Sequence, residues 1–444
     1  METLIDQRDA VNQWLARYGV RFGVYKGGVF HEQLFPFDPV PRVIPAAEWR
    51  FLEKGLTQRA RALNEFLLDI YGAKRIVRDG VIAEEFIYAA KGYLPQCENL
   101  LPPGKVYNHI SGIDLVQAAD GAWVVLEDNL RIPSGASYPI IARTVTRKVS
   151  PATFEHREIA DNRNYPALLQ LMLDHFNVGN GLTVIFTPGR YNSAFFEHSF
   201  LAEKTGATLA FAGDLIVEDE QVFYKGLFNE RQRVGAIYRR VADEFLDPLA
   251  FDRNSLLGVP NLMRAYAKGN VAVINAPGNG IADDKGLCYF VPKMIEYYLA
   301  EKPLLPNAPT YLPFYPDDRK YVLANLAKLV VKDVAEAGGY GVLFGRDLDA
   351  AQLDDISRLI AAEPRRWIAQ EVIEFRDLEV LADDGEKRGK RKADLRAFVL
   401  YGDEVKVWKS GLTRYAFHPH SYVVNSSQGG GFKDTWVEKE VGGQ

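Results

Sequence analysis

The chain has 444 residues, 47% of them hydrophobic and 25% charged, with a formal net charge of −5. One core does not serve that length, so two or three domains are expected, and the acidic balance argues against a general nucleic-acid binder. No run of about 18 apolar residues occurs, so no membrane-spanning helix is expected; the first residues lack the apolar stretch of a signal peptide, and Cys97 and Cys288, far apart in sequence, fit ordinary thiols in a reducing cytoplasm.

Residues 1–50 mix aromatics, Gly and Pro without a clean period. Leu56, Ala60, Leu63, Leu67 and Ile70 then recur at helical spacing, and Gly72 follows as a stop, which predicts a helix over 56–71. Arg59 and Arg61 lie on that helix, where exposed arginines usually touch only water. His109 reads as a partly buried strand histidine.

Residues 111–135, SGIDLVQAADGAWVVLEDNLRIPSG, carry the strongest local signal. Apolar runs flank Asp120-Gly121, and such a pair between apolar runs predicts a hairpin with a two-residue turn. In that register Asp114 lies opposite Glu127 and Gly112 opposite Asn129. Alternation along a strand then puts Asp114, Glu127 and Asn129 on one face. Opposed carboxylates destabilise a sheet unless a cation sits between them, and two carboxylates with an amide oxygen suit Mg²⁺. Arg131 adds a fixed cation on the same face, and Gly112 leaves room for a ligand.

Arg143 and Arg147 follow, then a predicted helix over 166–176. Strands are expected at 182–186, 208–211, 235–238 and 271–274, with a helix at 194–204 between the first two. That alternation argues for a parallel α/β sheet. The loops beginning at Thr187 and Asn275 lie where such sheets bind ligands, and His198 faces those loops. Asp284-Lys285 opens a further helix, where a lysine can hold phosphate.

Leu329-Val-Val-Lys332 is an apolar strand bearing one lysine, and Gly338-Gly339-Tyr340-Gly341 turns sharply after it. Glycines let backbone N–H groups approach phosphate, and a strand lysine adds a point charge. After a helix over 350–362, a strand begins at Trp367 and runs through Gln370, Glu371, Val372 and Ile373. The basic cluster Lys387, Arg388, Lys390, Arg391 and Lys392, preceded by acids and containing glycines, reads as a solvated loop. Asp394 and Arg396 share a strand face, and Arg414 and Asn425-Ser-Ser-Gln-Gly-Gly-Gly431 follow.

In that order the lysine strand, the GGxG turn, Q-E-x-x-I, D-L-R, a further Arg and N-x-x-x-G-G resemble the first half of an ATP-grasp core. The closing half of such a core, Asp then E-x-N-x-R, comes earlier in this chain. The sequence therefore resembles a circularly permuted ATP-grasp protein of the glutathionylspermidine-synthase-like group, over about residues 35–437 of the chain. The resemblance implies a mixed α/β fold in three parts: residues 1–150 as the permuted half with the metal hairpin, 151–310 as an inserted pre-ATP-grasp Rossmann-like domain, and 311–444 as lid and remaining core.

It further implies that Lys285 and Lys332 hold the phosphates of ATP under the Gly338–Gly341 loop, and that Gln370, Glu371, Val372 and Ile373 meet the adenine. Asp377 or Glu379 would take the ribose, Asp114, Glu127 and Asn129 would hold Mg²⁺, and Arg131, Arg396 and Arg414 would serve a transferred phosphate. The implied activity is a carboxylate-amine ligase working through an acyl-phosphate, with a small-molecule or peptide carboxylate and an amine as substrates. A phosphotransferase and a non-catalytic nucleotide-binding scaffold are the competing readings; nucleic acid and membrane are not expected as partners, and the oligomeric state is not encoded in one sequence.

Overall fold

The structure is a computed structural model that describes residues 4–26, 29–228, 230–334, 341–381, 388–416, 418–419, 421–422, 424 and 430–440. The helix expected from Leu56 begins at Ala46 and runs to Ile70. Pro45 precedes it, and Trp49 and Leu52 extend the same buried stripe one residue set earlier. Among the described residues no helix is long and apolar enough to cross a membrane.

This helix backs an eight-stranded sheet in the order Phe37–Ile44, Gly431–Val437, Leu412–Tyr415, Arg388–Tyr401, Ile110–Gln117 and Trp123–Asn129, with Asp377–Leu381 and Val405–Val407 both paired to the long strand. Early and late parts of the chain thus share one sheet. Gly431–Val437 lies parallel to Phe37–Ile44, and two buried ion pairs tie it to earlier chain, one to that strand and one to the helix Ser137–Val149. Lys433 binds Asp38, and Arg143 grips Asp434 through Nε at 2.8 Å.

The residues from Arg388 to Lys392, expected in a loop, form the start of the long strand and pair with Asp377–Leu381. Lys392 donates to the Phe375 carbonyl at 2.7 Å and lies 3.2 Å from Asp377. Cross-strand pairing decided the conformation over local charge density.

The second sheet holds the expected parallel strands, Thr208–Ala210, Leu182–Phe186, Arg231–Arg239 and Ala272–Ile274. The helices Tyr165–Phe176 and Phe195–Thr205 belong to the same region. An additional hairpin, Leu215–Glu218 with Gln221–Lys225, extends it. Its turn is Asp219-Glu220, both at positive φ, so it lacks the Gly or Asn that marks such a turn in sequence.

The third sheet is antiparallel, in the order Thr310–Tyr311, Trp367–Glu371, Leu329–Asp333 and Val342–Phe344. Leu329 and Val331 pack into a small separate core with Val322, Ile360 and Trp367. Val330 and Lys332, on the opposite face, turn toward the first sheet.

Candidate active site

The acidic hairpin has a three-residue loop instead of a two-residue turn. The Ala118 amide donates to the Ala122 carbonyl at 2.8 Å, and Gly121 takes a φ of +91°. The Ala119 amide is drawn away to the Glu374 carbonyl at 2.9 Å, a tertiary contact that fixes the loop. Leu115 consequently pairs with Val125, and a bulge at Leu126 restores the expected register, with Asp114 opposite Glu127 and Gly112 opposite Asn129. A bulge bends a strand and re-aims its side chains. Here it lets Leu126 and Glu127 both line the cleft while Asp128 faces the long helix.

Asp128, inside the E-D-N motif, accepts from Arg59 Nε at 2.6 Å and Nη2 at 2.7 Å. Arg59 is fully buried, so it is not the solvated arginine its helical position suggests. The far end of the hairpin is fastened from the second sheet. The Asp283 carboxylate accepts the Leu130 and Arg131 amides, Asn279 donates to the Leu130 carbonyl at 2.8 Å, and Asn275 donates to the Ile110 carbonyl at 2.8 Å. The stretch from Asn275 to Lys285 therefore anchors the hairpin and ends in Lys285.

Asp114 is buried and accepts from three directions. Arg396 reaches it at 2.7 and 2.8 Å, Arg414 at 2.8 Å and Asn129 at 3.3 Å. Burial alone would raise its pKa, but the two guanidiniums outweigh it and hold the carboxyl well below the usual range. Arg414 also binds Asp394 at 2.5 Å; burial there prevails over Arg414 and pushes the Asp394 carboxyl up.

Asp114, Glu127, Lys285, Lys332, Gln370, Glu371, Val372, Ile373 and Arg414 line one cleft between the first and third sheets, with Asp394 beside them. Its empty space, open mouth included, is about 930 Å³, the scale of a small-molecule site. Apolar walls come from residues to which the sequence reading gave no part in the site, Val330, Val342, Phe344 and Phe375 among them. Burial lowers the Lys332 pKa, Lys285 adds to the lowering, and Glu127 and Asp114 oppose it. Two ammonium groups and two carboxylates thus sense one another across the cleft.

Other expected residues lie elsewhere. Arg396 and Asn129 stand behind the lining, joined to it through Asp114. Arg131 points toward the second sheet, 3.4 Å from Asp283 and 3.6 Å from Glu244. The space over Gly112 is filled: a Cβ there would meet Pro133 Cβ at 3.0 Å and Arg396 Cδ at 3.2 Å. Gly112 admits the arginine, not a ligand. Asp377 pairs with Lys392, and neither it nor Glu379 lines the cleft. Gly338, Gly339, Tyr340 and Asn425 to Gly429 lie outside the described residues, whereas Gly341 is described, at a φ of +73°. His198 is buried, its Nδ1 2.8 Å from Thr187 Oγ1. Its neighbour Glu197 accepts the Gly135 and Ser137 amides, both at 2.9 Å, fixing the turn that follows the hairpin.

Among the described residues no three His, Cys, Asp or Glu side chains gather as a metal cluster. The available donor set is two carboxylates and an amide. Asn129 Nδ2 points at Gly112 O, Asp114 and Glu127, so the amide turns over for its Oδ1 to join the two carboxylates on a cation. Asp114 is already engaged by guanidiniums, so Glu127 is the less committed carboxylate. An all-oxygen set of this size fits Mg²⁺ completed by phosphate and water oxygens.

A cleft between two sheets that brings two lysines from separate stretches of chain against an E-x-N hairpin defines the ATP-grasp class of ATP-dependent ligases. Residues 41–416 match the description "Circularly permuted ATP-grasp type 2". The chain belongs to that family. An uncharacterized protein of Synechocystis sp. is 46% identical over 98% of this chain and 91% of its own length. A Frankia alni protein provisionally named a glutamate–cysteine ligase is 41% identical over 91% of this chain, which spans 47% of that protein. A glutathione synthetase-like effector of Globodera pallida shares the fold at 11% identity, with a TM-score of 0.56 over 98% of this chain and 97% of its own.

Proposed function

We propose that the protein is an ATP- and Mg²⁺-dependent carboxylate-amine ligase. The observation that carries the reading is the convergence of Lys285, Lys332, Asp114 and Glu127 on one cleft from three separate stretches of chain. In this reading Lys285 and Lys332 take the phosphates, and Gln370, Glu371, Val372 and Ile373 meet the base. Glu127, Asn129 and Asp114 would hold Mg²⁺, which would supply charge neutralisation for the phosphates.

A substrate carboxylate attacks the γ-phosphorus and ADP leaves, giving an acyl-phosphate; an amine then attacks the acyl carbon and phosphate departs, giving an amide. Such a reaction needs positioning and charge more than proton transfer. Arg414, in the cleft lining and held by Asp114, is set to meet the moving phosphate; Arg396 holds Asp114 from behind the lining, and Arg131, turned to Asp283 and Glu244, takes no part in this reading. The three-part division at 150 and 310 goes with this reading, the first and third parts making the core. The name of the Frankia protein favours amino-acid-like substrates. ATP as substrate suits a cytoplasmic enzyme.

Calorimetry with Mg²⁺ and ATP on the wild type and on Glu127→Ala with Asn129→Ala tests the site. The double variant is expected to bind more than about tenfold more weakly, the worth of one charge-assisted contact. Equal, metal-independent binding in both would defeat the assignment. ADP release that requires both an acid and an amine then separates a ligase from a phosphotransferase.

A further inference from the structure

Lys285 opens a helix of only four residues, Lys285–Cys288, too short to hold its own orientation. Its first turn is boxed instead by neighbours. Asp284 is buried and caps it, accepting the Gly286 amide at 2.8 Å. The other Asp284 oxygen accepts from Arg365 Nη2 at 2.9 Å. Arg365 also donates through Nε to the Phe86 carbonyl at 3.0 Å and lies with its guanidinium carbon 3.8 Å from the centre of the Phe86 ring. Gly286 completes the box, since a Cβ there would meet Phe86 Cζ at 2.8 Å.

Arg365 does not come from the part of the chain that carries Lys285. It stands between the helix Ala350–Ala362 and the strand Trp367–Glu371, in the sheet that bears Lys332. Its planar fork, set over an aromatic ring and reaching both oxygens of one carboxylate at 2.9 and 3.4 Å, is a geometry that lysine cannot reproduce. The contact joins the two bodies that each contribute one cleft lysine.

We propose that Arg365 is a positioning residue for Lys285, acting through Asp284 to fix the separation of the two cleft lysines; this rests on the reading of both lysines as phosphate ligands. A brace that served stability alone would alter all ligands alike. A brace that sets the Lys285 ammonium affects phosphate and spares the base.

The test uses the full chain with Arg365→Ala, Arg365→Lys, Lys285→Ala and the Arg365→Ala/Lys285→Ala double variant, each titrated with Mg²⁺·ATP and with adenosine. Arg365→Ala is expected to weaken ATP about tenfold, equivalent to about 1.4 kcal/mol, with adenosine unchanged, Arg365→Lys recovering little, and no further loss from Arg365→Ala once Lys285 is alanine. Full additivity in the double variant, or equal loss of ATP and adenosine, overturns the proposal. Amide exchange at Gly286, Leu287 and Cys288 provides a readout without nucleotide: faster exchange in Arg365→Ala supports the brace, and unchanged exchange overturns it. A wild type that binds neither ligand would end the nucleotide reading while exchange still decides whether Arg365 holds the Lys285 turn.

Discussion

A lysine ammonium set in a half-buried cleft wall, with a second lysine near it, is a charge waiting for an anion. Burial first, and Lys285 next, lower the Lys332 pKa. The sign of the consequence differs for the two states. In the free protein the charged form is penalised relative to the unfolded chain, so stability rises as pH climbs from the lowered folded value toward the ordinary one. For a phosphate ligand the direction reverses, because the attraction needs the proton and is lost as pH rises through that lowered value. We therefore expect Mg²⁺·ATP affinity to fall on the alkaline side earlier than an unperturbed lysine would dictate, and Lys332→Arg to remove that early fall because its guanidinium keeps its charge. Binding isotherms at a series of alkaline pH values check this, and a wild type that tracks the arginine variant across the series would contradict it. Asp114 belongs to the same scale but to another role. With both of its oxygens taken by Arg396 and Arg414, it orients cations as much as it offers itself to a metal.

The hairpin shows how an element can deliver the right residues by an unexpected route. Gly121 at +91° closes a three-residue loop, a conformation in which a side chain is strained. No atom lies within 4 Å of a Cβ built there, so strain is the sole cost of Gly121→Ala. Urea unfolding is expected to register a loss of about 1 kcal/mol, with Mg²⁺·ATP affinity unchanged; an unchanged midpoint would mean that the loop relaxes into another turn. The face shared by Asp114, Glu127 and Asn129 was legible in the sequence because loop and bulge offset each other by one residue. The strands Leu182–Phe186 and Leu329–Asp333 and the helix Ala350–Ala362 were legible too, since period and breakers agree there. What local pattern could not reveal were contacts fixed by distant chain. Arg59 reads as solvated until Asp128 is brought over it, the Arg388–Lys392 segment reads as loop until Asp377–Leu381 pairs with it, and Arg131 reads as a cleft cation until Asp283 and Glu244 draw it away.

At the scale of the whole molecule, the permuted order makes one sheet depend on a seam between early and late chain. The parallel pairing of Phe37–Ile44 with Gly431–Val437 has no short connection to enforce it, so side chains must specify it. Lys433 does this through Asp38, and Arg143, fully buried on the helix Ser137–Val149, holds the late strand to earlier chain with four donations: two to Asp434 at 2.8 Å, one to the Ala160 carbonyl at 2.8 Å and one to the Thr435 carbonyl at 2.5 Å. Asp434 also accepts the Trp436 indole N–H at 2.8 Å. Removing one member of such a pair leaves a charge without compensation, which costs about 3–5 kcal/mol. Asp434→Ala is therefore expected to lower the urea midpoint by that equivalent. Replacing both partners with methionine should recover a large part of the loss, because no unpaired charge then remains. A loss under about 1 kcal/mol for Asp434→Ala would place the seam's stability in its apolar packing, around Phe35, Phe37, Tyr138 and Phe432. The ion pair would then orient the late strand against the helix Ser137–Val149 without supplying the energy.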